Sequence, residues 1–415
     1  MTELCDLEAI ELRQRIGNKE ISPVELLESC IERINRINDA VNSVCATDFD
    51  AARVVARKAE REVMNGENLG LLHGLPVGIK DLEETKGLRT TWGSLIHENQ
   101  VPEHDSLNVA NIRGEGALIF AKTNTPEFGA GANTKNKVYG ATGNPFNPEL
   151  SCAGSSGGTA VSLATGMMPL ATGSDFGGSL RTPASFCGIV GFRPSPGVVP
   201  CEDKVTALAP WSVLGPMART VADAHLLLQA QIDVDLRDPF SKWFDEVLLQ
   251  PLAKLDLGSI RVAVSEDLGC APVDNDIRAI FRERISAFRS VFAEAENRDP
   301  DFGPVHEVFE ILRGVSFVAN NIDLLQNHRD LLGPNIIDNT ERGLKYTCKE
   351  IALAQSQQTE IYHRYLKMFE EVDVLICPAA AVSPYPHVNL SVVEINGEKM
   401  PTYMRWLAIA YAHTM

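Results

Sequence analysis

Ala153-Gly-Ser-Ser-Gly-Gly-Thr159 and, a strand's length further on, Asp175-Phe-Gly-Gly-Ser-Leu-Arg-Thr-Pro-Ala184 are the stretches on which the reading of this chain turns. Between them, Thr159 to Thr165 reads as a helix starting on the first glycine turn. Met168-Pro-Leu-Ala-Thr-Gly173 reads as a buried strand running into the second turn. Serines therefore sit in two glycine-rich turns at the ends of regular elements. Glycines beside a serine let the backbone approach a neighbouring group and aim several N–H donors at one point. A nucleophile and an anion-binding pocket within a few residues is what acyl transfer needs. The missing ingredient is a base. Upstream, Leu75-Pro-Val-Gly-Ile-Lys80 reads as a strand ending on a lysine, and Lys80 is the best candidate.

Outward from these turns the pattern is helix after strand. The first sixty-odd residues are helical. Ser22-Pro-Val-Glu25 is a capping box with proline at the first helical position, and Val24, Leu27, Ile31, Ile34 and Ile37 then form one apolar stripe. A second helix, from Asp50 to Met64, is predicted to bury Ala52, Val55, Ala59 and Val63. Further strands are predicted at Ala117–Ala121, Gly188–Arg193, Ile260–Val264 and Val374–Pro378. Thr220 caps a helix through Leu228, and another helix runs from Lys349 to Glu371. Asn396-Gly397 marks a hairpin turn. Alternating helices and strands imply an α/β sheet with helices on both faces. No repeat or linker divides the chain, so one domain is expected.

With 415 residues, 44% hydrophobic and 22% charged, the composition is that of a folded globular chain. A formal net charge of −17 argues against direct binding of nucleic acid or of an anionic membrane surface. Nine cysteines without a CxxC pair indicate a reducing compartment and no structural zinc. Cys152 adjoins the first serine turn, but a small buried side chain is the better reading of it than a nucleophile. The acidic N-terminus is unlike a signal peptide and no run is long enough to span a membrane, which points to a soluble cytoplasmic protein.

The ordered set of motifs resembles the amidase signature family. It comprises Gly74-Leu-Pro-Val-Gly-Ile-Lys-Asp81, Lys122-Thr-Asn-Thr-Pro-Glu-Phe128, Gly143-Asn-Pro145, Gly154-Ser-Ser-Gly-Gly158, Asp175 to Ala184 and Phe186-Cys-Gly-Ile-Val-Gly191, with a weaker match as far as Asp373-Val-Leu-Ile-Cys-Pro378. The resemblance implies a single α/β/α domain around a large mixed sheet. Residues 1–65 would be a helical cover, 66–200 the catalytic core and 201–415 the rest of the sheet and the substrate cleft. It implies an amidase that cleaves a carboxamide C–N bond through an acyl-serine, with Ser179 as nucleophile, Ser155 as bridging serine on a cis peptide and Lys80 as base. The backbone N–H groups of Phe176, Gly177, Gly178 and Ser179 would form the oxyanion hole. No metal or organic cofactor is implied, and the partner is a small-molecule amide; a homodimer is among the assemblies left open.

Two departures from the family pattern stand out. Ala153 replaces a glycine, which matters only if the position needs a positive φ. The sequence also stops at Met415, before a glycine- and proline-rich segment that family members carry, so a truncated member is expected. An A-type subunit of a glutamyl-tRNA amidotransferase working with a partner, or an inactive remnant, are the alternative readings. A different mechanism is offered by Gly154-Ser-Ser-Gly-Gly158 read as a nucleophile elbow centred on Ser156, with His225, His306, His328, His363 or His387 as base. Asp175 reads as a turn-former and Arg181 as a brace for the loop. Substrate choice is assigned only to regions: Thr85 to Lys137, with Thr90, Thr91 and Trp92 as candidate liners, and Ser265 to Thr340.

Overall fold

The computed structural model describes residues 3–242, 244 and 246–415. Its centre is a six-stranded mixed sheet of β1 (Val44–Thr47), β2 (Pro76–Lys80), β3 (Leu118–Thr123), β4 (Leu170–Asp175), β5 (Val190–Gly191) and β6 (Val213–Ala218), in the spatial order β1-β3-β2-β4-β6-β5. β2 lies parallel to both β3 and β4, while β1, β5 and β6 join antiparallel. Every residue of β2 and β3 is buried. Successive strand residues point to opposite faces, so both faces of the sheet are covered, as unbroken apolar runs require. The C-terminal ends of β2, β3 and β4 share one edge, and the turns that follow them converge there.

The helices that cover the sheet begin where local chemistry dictates. α1 (Ala9–Gly17) precedes α2 (Pro23–Val41), whose capping box pairs the Ser22 hydroxyl with the Glu25 N–H and the Glu25 carboxylate with the Ser22 N–H. α3 (Phe49–Asn65) starts on Asp48. Its buried row is Ala52, Ala56, Ala59 and Val63, whereas Val55 is exposed. The row steps by four, three and four residues, which keeps it on one face of a 3.6-residue turn and leaves position 55 outside. α4 (Leu107–Gly114) follows, α5 (Gly157–Ala164) opens on the first serine turn, α6 (Arg181–Cys187) on the second, and α7 (Val221–Gln231) on Thr220.

The remainder departs from the sequence expectation. β7 (Arg261–Val264) and β9 (Val374–Ile376) do not extend the central sheet. With β8 (Glu294–Asn297) they form a separate three-stranded parallel sheet in which β7 is flanked on both sides. Three helices lie in the region the sequence left unassigned: α8 (Asn275–Phe288), α9 (Val305–Asn327) and α10 (Pro334–Gly343). α11 (Cys348–Met368) runs from a Thr347–Glu350 capping box, and α12 (Ala408–Tyr411) is a short turn near the end. The hairpin at Asn396-Gly397 has positive φ at both residues, as a two-residue turn of this kind demands. No helix among the described residues is long and apolar enough to cross a membrane.

Candidate active site

Lys80 ends β2 and its side chain is wholly buried. Its amine reaches Ser155 Oγ at 2.7 Å, Ser156 Oγ at 2.8 Å and Ser174 Oγ at 3.0 Å. No carboxylate among the described residues lies within ion-pair distance of it. Burial draws its pKa down to about 7, and the more distant charges of Glu83 and Asp175 pull it up without cancelling that effect. The lysine is held from below as well. Its backbone N–H donates to Thr172 Oγ1 at 3.0 Å, and that hydroxyl donates to buried Glu83, which also takes the Asn108 amide at 2.5 Å. A second buried lysine, Lys122, donates to the Glu83 carbonyl and to Thr85 Oγ1 at 2.9 Å.

The first serine turn is shaped by its neighbours. Gly158 packs so closely on β3's end that a Cβ there would lie 2.3 Å from the Asn124 backbone nitrogen. The Gly154–Ser155 peptide is cis, and Ala153 adopts φ +60°. Ala153 is therefore in the left-handed region where glycine is the easier residue. The turn is pinned by Thr134, whose N–H and hydroxyl both donate to the Ala153 carbonyl, at 3.1 and 2.8 Å.

The second turn is built on Asp175. Burial alone would raise this carboxyl's pKa, but Arg181 and Arg193 outweigh it and hold the group well below the usual carboxylate range. The carboxylate accepts from the N–H groups of Gly178 at 2.8 Å and Leu180 at 3.0 Å, from Arg181 Nε and Nη2 at 3.1 and 3.0 Å, and from Arg193 Nη1 at 3.0 Å. Gly178 has φ +125°, and a Cβ there would meet Ala410 Cβ at 2.7 Å. Of the four N–H groups expected to face an oxyanion, that of Gly178 is thus committed to Asp175. Those of Phe176, Gly177 and Ser179 have no acceptor among the described residues.

Ser155 and half-buried Ser179 line one cavity of about 380 Å³. Ser179 Oγ has no hydrogen-bond partner among the described residues, so the hydroxyl chain is closed from Lys80 to Ser155 and open from Ser155 to Ser179. Trp92, Phe128, Phe176, Trp211 and Phe317 give the cavity aromatic walls, and Arg313, Asn320 and Asn321 of α9 add polar groups. An aromatic box beside hydroxyls and open N–H groups can hold a flat or short acyl group against a nucleophile.

The chain belongs to the amidase signature family. The Amidase family model matches residues 25–414. The chain is 32% identical to an acylamidase of Rhodococcus erythropolis over 382 residues, covering 92% of this chain and 80% of that protein. It is 30% identical to the A component of the glutamyl-tRNA(Gln) amidotransferase of Geotalea daltonii over 408 residues, covering 91% and 83%. In structure it is similar to a bacterial aryl acylamidase of the amidase signature family, with TM-score 0.89 and 27% identity over 98% of this chain and 87% of that one. As a member of the family it is a hydrolase acting on amides, and its mixed sheet under helices is the family's fold.

Lys80, Ser155 and Ser179 converge at one edge of the sheet, while the competing elbow does not assemble. Ser156 is fully buried, is absent from the cavity lining and spends its hydroxyl on Lys80 and the Ser174 carbonyl. None of the five histidines hydrogen-bonds it among the described residues; His306, for example, binds Tyr411 and the Cys270 carbonyl. Cys152 is buried and its thiol is pushed up to about 12 by that burial, far from a thiolate. All nine cysteines are free. Trp92 lines the cavity, but Thr90 and Thr91 do not: Thr91 donates to Asp81 at 2.6 Å and Thr90 to the Leu88 carbonyl at 3.1 Å. The sequence reading placed Arg313 only within the broad stretch Ser265 to Thr340, and the loop from Cys201 to Ser212, which closes another side of the cavity, only within 201–415; it singled out neither. Neither carries a motif; both are brought in by tertiary packing.

Proposed function

We propose that this chain hydrolyses linear carboxamides to a carboxylate and ammonia or an amine through an acyl-Ser179 intermediate. The observation that carries the reading is a fully buried lysine amine, with no carboxylate within ion-pair distance among the described residues, 2.7 Å from the Oγ of Ser155, which lines the cavity together with Ser179. Near neutral pH a substantial fraction of Lys80 is uncharged and able to accept a proton. As Ser179 Oγ attacks the amide carbon, its proton passes to Ser155 and the Ser155 proton passes to Lys80. The open N–H groups of Phe176, Gly177 and Ser179 face the oxyanion. Collapse breaks the C–N bond, and the departing nitrogen takes its proton back along the same route. Water then attacks the acyl carbon and gives its proton through Ser155 to Lys80; collapse breaks the bond between that carbon and Ser179 Oγ, Oγ takes the proton back from Lys80 by the same route, and the carboxylic acid leaves. The gap between Ser155 and Ser179 closes when substrate displaces solvent, as catalytic hydrogen bonds commonly do.

A fluorophosphonate or sulfonyl fluoride probe tests this. Labelling is expected at Ser179, to vanish in Ser179→Ala and to slow at least about a thousandfold in Lys80→Met. Labelling that persists in Ser179→Ala sinks the assignment. The likeness to the A components of amidotransferases favours a second reading, in which ammonia is passed to a partner. Ammonia release from simple amides by the purified chain alone separates the two, and partner-independent turnover is the expected result. A cytoplasmic location fits nine unpaired cysteines.

A further inference from the structure

Arg313, in the first half of α9, is 7% exposed. A guanidinium is always charged, and one removed from water normally ends on a carboxylate or exhausts its donors on carbonyls. The other enclosed arginines do so. Arg33 pairs with Glu3 and Asp6, Arg181 and Arg193 share Asp175, and Arg219 binds four backbone carbonyls. Arg313 does neither. Its Nε donates to Asn339 Oδ1 at 3.1 Å and its Nη2 to the Tyr403 hydroxyl at 2.8 Å, both neutral acceptors. Its Nη1 has no acceptor, and no carboxylate lies within ion-pair distance, among the described residues. Aromatic faces hold the group in place: Cζ lies 4.5 Å from the Phe317 ring centroid, 5.3 Å from Phe176 and 5.9 Å from Tyr403. It lines both the cavity of Ser155 and Ser179 and a small recess formed with Gly177, Gly178 and Ser179.

We propose that Arg313 receives a carboxylate of the substrate, so that the amides hydrolysed here are anionic, with a carboxylate set a short or aryl spacer away from the scissile carbonyl. The proposal rests on the acyl-Ser179 reading for the position of that carbonyl. A fixed guanidinium with a free donor, desolvated by aromatic rings and paired with no carboxylate among the described residues, is suited to receive an anion. The cavity has room for one small molecule, and its flat aromatic walls suit a ring spacer. The other cation on its lining, Lys204, is already occupied by Asp238 at 2.9 Å, which leaves Arg313, among the described residues, as the cation of that lining without a carboxylate partner.

Two isosteric pairs test it: 4-carbamoylbenzoate against terephthalamide, and succinamate against succinamide. In each pair a carboxylate is exchanged for an uncharged amide of the same shape. The wild-type enzyme is expected to favour the carboxylate member at least tenfold in kcat/KM. Ser179→Ala, which binds without turnover, is expected to show at least a tenfold lower Kd for it by calorimetry. Arg313→Gln should collapse both ratios to within about threefold, and Arg313→Lys should keep part of the preference. Equal treatment of the two members by the wild type, or an equal loss for both in Arg313→Gln, overturns the assignment. If probes label Ser179 and uncharged amides turn over without charge preference, the acyl-serine reading stands and the carboxylate receptor falls. If Ser179 is never labelled but Ser179→Ala still selects the carboxylate in an Arg313-dependent way, the receptor stands and the mechanism falls.

Discussion

Lys80 is a base only while its amine is neutral, and its position sets two pH dependences of the same origin. Burial brings the folded-state pKa to about 7, against about 10.4 for a lysine in an unfolded chain. For catalysis, kcat/KM should rise about tenfold per pH unit up to about pH 7 and then level off. For stability, the unfolded chain binds a proton between these two pKa values that the folded chain does not. The folded state therefore gains with rising pH across that window, by up to about 1.4 kcal/mol per unit, and carries the full cost of charging below it. Lys80→Met removes the group. The stability of wild type minus variant, measured by denaturant unfolding at pH 7.5 and 9, should increase with pH; a flat difference shows that the amine is not desolvated. Ala153 is a different case. Its positive φ costs an L-residue about 1–2 kcal/mol, but glycine would lose about 0.8 kcal/mol of methyl burial and add about 0.5–1 kcal/mol of unfolded-state entropy. These nearly cancel. Ala153→Gly should change stability by less than about 1 kcal/mol, a result checked by thermal unfolding.

At the scale of elements, the turn between β4 and α6 is set by one carboxylate. Asp175 fixes two backbone N–H groups on its own turn and ties Arg181 and Arg193 to them. Asp175→Asn retains the shape but leaves two enclosed guanidiniums without a counter-charge and turns an amide N–H₂ toward existing donors. The expected cost is about 3–5 kcal/mol in denaturant unfolding, together with loss of Ser179 labelling, because the open N–H groups lose their frame. The sequence exposed this turn because its aspartate and paired glycines read as backbone control around a serine placed to act as a nucleophile. It exposed β2, β3 and β4 because strands buried on both faces read as unbroken apolar runs. It did not expose α9. That helix turns Arg313, Ser316, Asn320 and Asn321 to the cavity, and polar residues on an inward face erase the apolar stripe by which a helix is recognised. The motif-bearing edge of the site was legible residue by residue, whereas the wall opposite it was located only as the region Ser265 to Thr340, its helix and its polar residues being masked by that broken stripe. β7 and β9 read correctly as strands, but which sheet a strand joins is a matter of long-range pairing that local pattern does not encode.

In the whole molecule, one contiguous hydrophobic cluster takes in residues from Cys5 to Ala412, so a single cooperative thermal transition is expected rather than two. The far wall of the cavity is nonetheless joined to the catalytic edge at a small number of polar points. Glu127, just after the strand β3, is buried and accepts from Ser94 Oγ at 2.7 Å with one oxygen and from the Gly333 N–H at 2.5 Å with the other. Asn335 adds a bond to the Ala130 carbonyl at 2.9 Å and Lys137 one to the Leu332 carbonyl at 3.0 Å. Beneath them Ala130, Leu325, Leu332 and Ile336 form a separate small apolar cluster that also touches Phe128 and Phe317 of the cavity wall. The joint between α9 and α10 is thus seated on the loop after β3 through Glu127, and loosening that seat is expected to widen the cavity. Glu127→Met leaves the Ser94 hydroxyl and the Gly333 N–H without their acceptor, at a cost of about 1–3 kcal/mol. Because that cost falls on the wall and not on Lys80, Ser155 or Ser179, KM should rise severalfold with a smaller change in kcat, and limited proteolysis should cut faster between residues 328 and 333. A variant whose kcat falls with KM unchanged shows instead that Glu127 supports the catalytic edge, and that the wall stands without it.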